Sequence, residues 1–195
     1  TNTSGVNNDS QLNTAAGSST LDAAILDIDF IPTGDVMTMK FVFSSDEYPE
    51  YQNSVYQDFV GVWINGTQVN MAVGNGDADP GNVNSTNNQN LYNDNTSDQY
   101  STEMDGFTVT LTLTIPVVHG STNSIRIAIA DVSDSSYDSK LLIAGDSLQT
   151  SVVAQTDSTN VYPTGSKNLD VLTNDTNGGG GTLTITHTND HALER

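Results

Sequence analysis

From Phe107 to Ile115 the chain reads FTVTLTLTI, with Phe107, Val109, Leu111, Leu113 and Ile115 separated by Thr108, Thr110, Thr112 and Thr114. Side chains of an extended backbone point to opposite faces at every second residue, so this run has one apolar and one hydroxylic face and reads as a half-buried strand. The same test picks out VMTMKFVF, which puts Met37, Met39, Phe41 and Phe43 on one face. It also picks out ILDIDF, which sets Asp27 and Asp29 against Ile28 and Phe30. DFVGVWI, IRIAIA and LLIAG are shorter, rich in β-branched or aromatic residues, and bounded by Gly, Asn, Asp or Ser. No convincing 3.6-residue period occurs. Strands that keep a polar face belong to antiparallel sheets, because parallel strands are covered on both sides. The expected fold is therefore all-β, an antiparallel β-sandwich with long acidic and Asn-rich loops.

Three regions are expected along the chain. Residues 1–20 are polar and read as an N-terminal arm, and residues 21–152 hold the strand patterns of the sandwich. Within them, Gly74 to Gln99 is dense in Gly, Asn and Asp and nearly devoid of core-forming residues, which reads as a long loop. Residues 153–195 look like a partial second unit, with short strands at Leu169–Leu172 and Leu183–Ile185 joined by a Gly-rich turn. Two strands alone are marginal in water.

Charge narrows the functional classes. Twenty-four acidic and five basic residues give a formal net charge of −19, which makes nucleic acid and anionic membranes poor partners. It also makes the compact state self-repelling unless cations or salt screen it. There is no cysteine, hence no disulfide and no thiolate metal site. No apolar run is long enough to span a bilayer, so membrane insertion is not expected. No signal peptide is visible either, and a secreted chain with its leader removed would read the same.

Carboxylates gather in three places. SSDEYPEY carries Asp46, Glu47 and Glu50 beside Tyr48 and Tyr51, with Tyr56 following; DADPGN carries Asp77 and Asp79; and ADVSDSSYDS carries Asp131, Asp134 and Asp138. Calcium suits such groups, being a hard cation that takes six to eight oxygens in irregular geometry. The EF-hand pattern fails at Asp77, where Gly81 stands in a ligand position and no correctly spaced Glu follows. The competing readings are a polar surface turn for ADVSDSSYDS, since Asp and Ser bond their own backbone, and a solvated loop for SSDEYPEY. Tyrosines here could pack on sugar rings or peptide side chains, or simply cap the sandwich end. Trp63, inside a strand pattern, reads as core.

Catalytic constellations are weak. HExxH, GxSxG and P-loop motifs are missing; His119 sits in a turn pattern, and His187 and His191 lie near the terminus. Glu47 and Glu50 could form the acid pair of a glycoside hydrolase, but that chemistry needs a separation that sequence does not supply.

Three ordered blocks, LDIDFIPTGDVMTMKFVFSSDEYPEYQNSVYQDFVGVWING, DGFTVTLTLTIPV and IRIAIADVSDSSYDSKLLIAGDS, resemble the bacterial choice-of-anchor L domain over about Leu21 to Gln149. The hallmarks are Ser45–Tyr51, Asp105-Gly106-Phe107 and Ala130-Asp131 with Asp134 and Tyr137-Asp138-Ser139. The chain departs from the pattern in its Asn/Asp-rich insertion around residues 75–99 and at Val62-Trp63. The resemblance implies a secreted or surface-attached bacterial protein and says more about location than about mechanism. VLTNDTNGGGGTLTIT separately resembles the opening of the cadherin-like or VCBS-like repeats of bacterial adhesins, which often bind calcium between modules. The expectation is a non-enzymatic, calcium-dependent module of an extracellular adhesin, binding a peptide or glycan and flanked by neighbouring adhesin modules. Its metal ligands are expected among Asp46, Glu47, Asp77, Asp79, Asp131, Asp134 and Asp138, and its ligand surface among Tyr48, Glu50, Tyr51 and Asp105. A calcium-stiffened spacer is the alternative, and an acid-pair hydrolase a more distant one.

Overall fold

A computed structural model describes residues 4–71, 78–150, 159–160, 165–173, 175 and 182–185. It is the expected antiparallel β-sandwich. One sheet runs β1 (Thr20–Phe30), β8 (Asn123–Val132), β3 (Phe59–Ile64) and β4 (Thr67–Val69); the other joins β2 (Val36–Ser45) to β5 (Tyr92–Asp94), β6 (Gly106–Thr108), β7 (Leu111–Pro116) and β9 (Ser139–Ile143). β2 is the hub of its sheet. Phe41 pairs with Leu111 on one side and Ile143 on the other, and Ser44 pairs with Phe107 and Lys140. The alternation read from VMTMKFVF explains why: Met37, Met39, Phe41 and Phe43 all point inward and are buried. They pack between the sheets with Leu111, Leu113 and Ile115 of β7 and Val60, Val62, Ile125 and Ile127 of the opposite sheet.

FTVTLTLTI is not one strand. It breaks at Val109-Thr110 into β6 and β7, and the buried face changes parity: Gly106 and Thr108 are buried in β6, whereas Leu111, Leu113 and Ile115 are buried in β7. The cause is a polar demand inside the sheet. Thr108 Oγ1 accepts the Phe43 N–H at 3.1 Å, while the Val109 N–H turns away to the Leu91 carbonyl at 2.8 Å. A hydroxyl that satisfies a buried backbone donor outweighs the apolar alternation at that point.

The N-terminal segment is also more than an arm. Residues Ser10–Ala16 form α1, capped by Asp9, which accepts from the Gln11 and Leu12 N–H groups, and ended by Gly17 in the left-handed region that favours glycine. α1 lays Leu12 on Trp63, Ala128 and Ala130, making a second small core on the outer face of β3 and β8. Asp9 also pairs with Arg126 at 2.7 Å. Seven residues with one large apolar side chain are too few to show a helical period.

The Asn-rich loop is ordered by amides where apolar residues are scarce. Buried Asn84 donates to the Pro80 and Gly81 carbonyls and accepts from Thr86 and Asn87; buried Asn95 donates to the Thr102 and Met104 carbonyls and accepts from the Tyr100 N–H. Past residue 150 the expected strands do not form among the described residues. Val171-Leu172 lies in a turn, and Leu183–Ile185 joins no ladder. Most of residues 153–195, His187 and His191 included, lie outside the described residues. No described helix is long and apolar enough to cross a membrane.

Gly106 begins β6 against two aromatic rings. A methyl group there would stand 2.5 Å from Tyr48 Cδ2 and 2.7 Å from Tyr92 Cε2, and neither ring has room to yield, because Tyr48 and Tyr92 already stack at 4.8 Å. Gly106→Ala is expected to destabilise the fold by about 1–3 kcal/mol, as overpacking does. Urea unfolding measures it, and a variant as stable as the parent would show that the rings are not tightly held.

Candidate functional site

Four strand ends converge at one pole of the sandwich. β2 runs out through Ser45 into Asp46 and Glu47, and β8 ends at Asp131 and Val132. Asp58 immediately precedes β3, and Asp138 immediately precedes β9. The ladders bring these ends together. Phe59 pairs with Ala130, so Asp58 comes level with Asp131 one position further along the β3–β8 ladder. Ser45 pairs with Ser139, and the Asp46 N–H continues that pairing to the Asp138 carbonyl at 3.2 Å. Ser139 Oγ then donates to Asp58 Oδ2 at 2.6 Å, a bond from one sheet to the other.

Three of these carboxyls are deeply buried: Glu47 and Asp58 are each 1 % exposed and Asp131 is 7 % exposed. Loss of hydration, followed by the charges of Asp134, Asp131 and Asp46, pushes Glu47 up to about 8. Burial, opposed by the Ser139 hydroxyl and reinforced by Asp131 and Glu47, pushes Asp58 up to about 9. Burial and then the charges of Asp138, Asp22 and Asp134 push Asp131 up to about 7. Asp46 is raised by burial and by Asp105, against the opposing charge of Lys140. Each group titrates late because it lacks water and faces others of its own sign. Glu47 Oε2, Asp131 Oδ2 and Asp46 Oδ1 find no hydrogen-bond partner among the described residues, which is costly for buried oxygens.

The distant Asp46-Glu47 and Asp131/Asp134/Asp138 segments thus share one electrostatic neighbourhood. Asp79 stands apart: half-buried, it accepts the Asn82 N–H at 2.9 Å and its charge is felt by the Tyr48 hydroxyl. Asp77 lies outside the described residues. Asp105 is half-buried beside Glu50, Asp98 and Asp94, and these charges add to burial in raising it.

Tyr48 does not lie on a ligand surface, contrary to expectation, and is a core residue. It is 0 % exposed and its hydroxyl donates to the Val83 carbonyl at 2.7 Å, because the loop needs an apolar anchor and Tyr48 supplies it. Glu50 is exposed, and half-buried Tyr51 packs on Tyr137 at 5.1 Å and on Tyr56 at 6.2 Å. This tyrosine group joins the 46–57 loop to the 133–138 turn. Asp58 is not among the expected ligands. Its only trace in the sequence is a lone carboxylate directly heading an apolar strand, which reads equally well as a strand boundary.

Among the described residues no three or more His, Asp or Glu side chains stand as a ready metal cage. The donor chemistry nonetheless fits a hard cation, because the unpartnered buried atoms of Asp46, Glu47 and Asp131 are all oxygens.

The fold and site define an all-β sandwich whose acidic chemistry sits in strand-end loops at one pole. The family model described as the choice-of-anchor L domain matches residues 1–149, and the chain belongs to that family. The match begins at residue 1, so it includes α1 as well as the strands. The family's domains are non-catalytic modules of bacterial proteins that are secreted or held at the cell surface. No curated protein and no solved structure matches the chain.

The raised carboxyls give the cation-free protein a definite pH dependence. Their folded values of about 7, 8 and 9 exceed the unfolded carboxylate value of about 4, so between these limits the native state binds more protons than the unfolded one. Their stabilising contribution is complete below about pH 4 and is lost as pH rises through about 7 to 9. In EDTA, the melting temperature is expected to fall from about pH 5 to about pH 9. Glu47→Gln should flatten that fall and melt a few degrees above the parent at the alkaline end. Thermal scans by circular dichroism test this, and a parent protein that gains stability toward alkaline pH contradicts it.

Proposed function

We propose that this domain is a calcium-dependent ligand-binding module of a bacterial surface protein. Glu47, Asp58 and Asp131 would form the inner half of the cation site, and Asp46, Asp134 and Asp138 the outer half. The observation that carries the reading is the pair of unpartnered oxygens, Glu47 Oε2 in the turn after β2 and Asp131 Oδ2 on β8, both buried and within one another's electrostatic reach. A divalent cation offers both a partner and a counter-charge, so it offsets desolvation and repulsion together. Calcium suits the site better than magnesium, because several carboxylates on loops provide many oxygens in irregular geometry and magnesium keeps its water in a near-octahedral shell. Asp134 and Asp138 lie on the 133–138 turn, and their charges reach Glu47 and Asp131, so they would supply the outer oxygens.

Tyr51, Tyr56, Tyr137 and Glu50 flank this pole and would meet the ligand, an extracellular peptide or a glycan on another cell or surface. Adhesion is the role that follows, with further modules continuing the chain beyond residue 150. The spacer reading draws support from the depth of Glu47 and Asp58 and from the Ser139–Asp58 bond between the sheets, since a cation there would staple the sandwich. The acid-pair hydrolase is not favoured, because Glu47 is buried while Glu50 is exposed on the same turn.

Titration of EDTA-stripped protein with calcium chloride in a calorimeter is expected to give a saturable heat. At free calcium about one hundred times the dissociation constant, the fold should gain about 2.7 kcal/mol. Glu47→Gln combined with Asp131→Asn should abolish both effects while retaining the fold, and magnesium should substitute poorly. No heat and no thermal shift at millimolar calcium would remove the proposal. Glycan and peptide arrays probed in calcium or in EDTA separate binder from spacer: a calcium-dependent signal lost in Tyr51→Ala supports the binder.

A further inference from the structure

β1 and β9 lie on the same lateral side of the sandwich, one at the edge of each sheet, and the seam between them is open. Ala24 and Leu26 share the inward face of β1 with Ile28 and Phe30 by the two-residue alternation. Ile28 and Phe30 join the main core, yet Leu26 is 45 % exposed. Leu26 lines a 220 Å³ cavity with Ile127, Ile129, Leu141 and Ile143. A second cavity of 630 Å³ shares Ala24, Ile129 and Leu141 with the first, and its far end is lined by Asp22, Asp131 and Asp138 together with Lys140 and with Ser4 and Gly5 of the N-terminal segment. The two form one groove, apolar along the seam, with three carboxylates against the single Lys140 ammonium at its head. Leu142, 58 % exposed on β9, extends the apolar surface at the lip.

The outer edge of β1 accepts an added strand. Val6 already pairs there with Ala23 in both directions, at 3.0 and 2.9 Å, and the Asn8 N–H reaches the Thr20 carbonyl at 2.7 Å. By the alternation of an antiparallel ladder, the next backbone groups to face outward are those of Ile25, Asp27 and Asp29. Described residues place no ladder against them. A long edge with apolar neighbours invites pairing, and acidic side chains on it discriminate among partners. Asp27 and Asp29 are exposed on the outer face, with Asp27 standing 3.9 Å from Arg126 Nε. A second copy of this chain, pairing edge to edge, would set like carboxylates against each other and bring together two bodies of net charge −19.

We infer that the β1–β9 seam is a docking groove for an extended partner segment that alternates apolar and basic residues, added as a strand to the outer edge of β1. Its apolar side chains cover Ala24 and Leu26 and fill the seam against Leu141 and Ile143. Its lysines or arginines lie over Asp27 and Asp29, with one at the acidic head beside Asp22. Main-chain bonds to Ile25, Asp27 and Asp29 supply affinity, and the alternating side chains supply selection. The apolar seam and the outward amides of β1 exist whether or not a cation occupies the pole; only the head of the groove shares acids with it.

The test uses the whole chain, in EDTA and again in calcium, with labelled peptides of about seven residues alternating valine with lysine or valine with glutamate, and a scrambled control. The lysine peptide is expected to bind saturably, at least about tenfold tighter than the glutamate peptide, and more weakly as salt rises. Amide exchange at Ile25, Asp27 and Asp29 should slow at least about tenfold on saturation. The Asp27→Lys/Asp29→Lys variant should invert the preference, and Asp29→Lys alone should narrow it if the double change impairs folding. Equal binding of both peptides, exchange at those amides already slow in the free protein, or protection appearing elsewhere would overturn the inference. Binding in EDTA without any calcium heat would leave the groove standing and remove only the cation site.

Discussion

Burying a carboxylate strips it of water, and an unpaired one left so exacts several kcal/mol. At one pole of this sandwich three carboxyls are buried together, and the strand ladders leave them little choice. Asp58 and Asp131 are level because Phe59 and Ala130 are paired, and Asp46 meets Asp138 because Ser45 and Ser139 are paired. The core that fixes those registers runs the length of β2 and β8, so retreat of Asp131 to solvent would require unpairing the end of β8, while Asp58 and Glu47 are held one and two residues from the paired ends of β3 and β2. The available relief is local. The Ser139 hydroxyl and the Val132 N–H reach Asp58, and protonation is made easier for all three. Whatever occupies this pole in the native setting must supply positive charge or protons, and that requirement is set by the packing of residues far from it.

The lateral side of the sandwich obeys a different constraint. β2 pairs on both of its edges, which leaves β9 at one margin of its sheet, and β8 lies between β1 and β3, which leaves β1 at the margin of the other. Acidic side chains at 27 and 29 set like charges against any copy of this chain that pairs edge to edge, and in the proposed groove they would attract basic chains. The high net charge therefore does two jobs in two places. At the pole it raises the cost of burial, and at the edge, in the proposed groove, it would select partners.

Much of this architecture is legible in the sequence. Period-two alternation finds β2, β7, β8 and the later half of β1, because inward faces there are filled by large apolar residues. It fails where polar groups do the packing: Thr108 sits inward to satisfy Phe43, and Asn84 and Asn95 order a loop that composition alone marks as empty of core. It also misses α1, whose single buried leucine leaves no periodic trace. Two of the acidic segments can be suspected of meeting because they carry similar residues, but Asp58 cannot be added. Its role comes from a ladder pairing that is non-local, and the residues around it look like an ordinary strand boundary. Tyr48 misleads for the opposite reason, since an aromatic among carboxylates reads as a surface feature until its burial against Gly106 and Val83 is known.

The pole and the groove are not electrostatically separate, for Asp131 and Asp138 belong to both. If a cation occupies the pole as proposed, it neutralises the acids at the head of the groove and lowers the attraction of that end for a basic partner residue. By linkage, a partner holding a lysine or arginine beside Asp22 and Asp131 must weaken the cation to the same degree. Asp27 and Asp29 lie further along β1, so the affinity they provide would persist with the cation bound. Only the acidic head would then be sensitive to cation supply, and its contribution would be largest in dilute calcium, where a carboxylate cluster most needs a counter-charge.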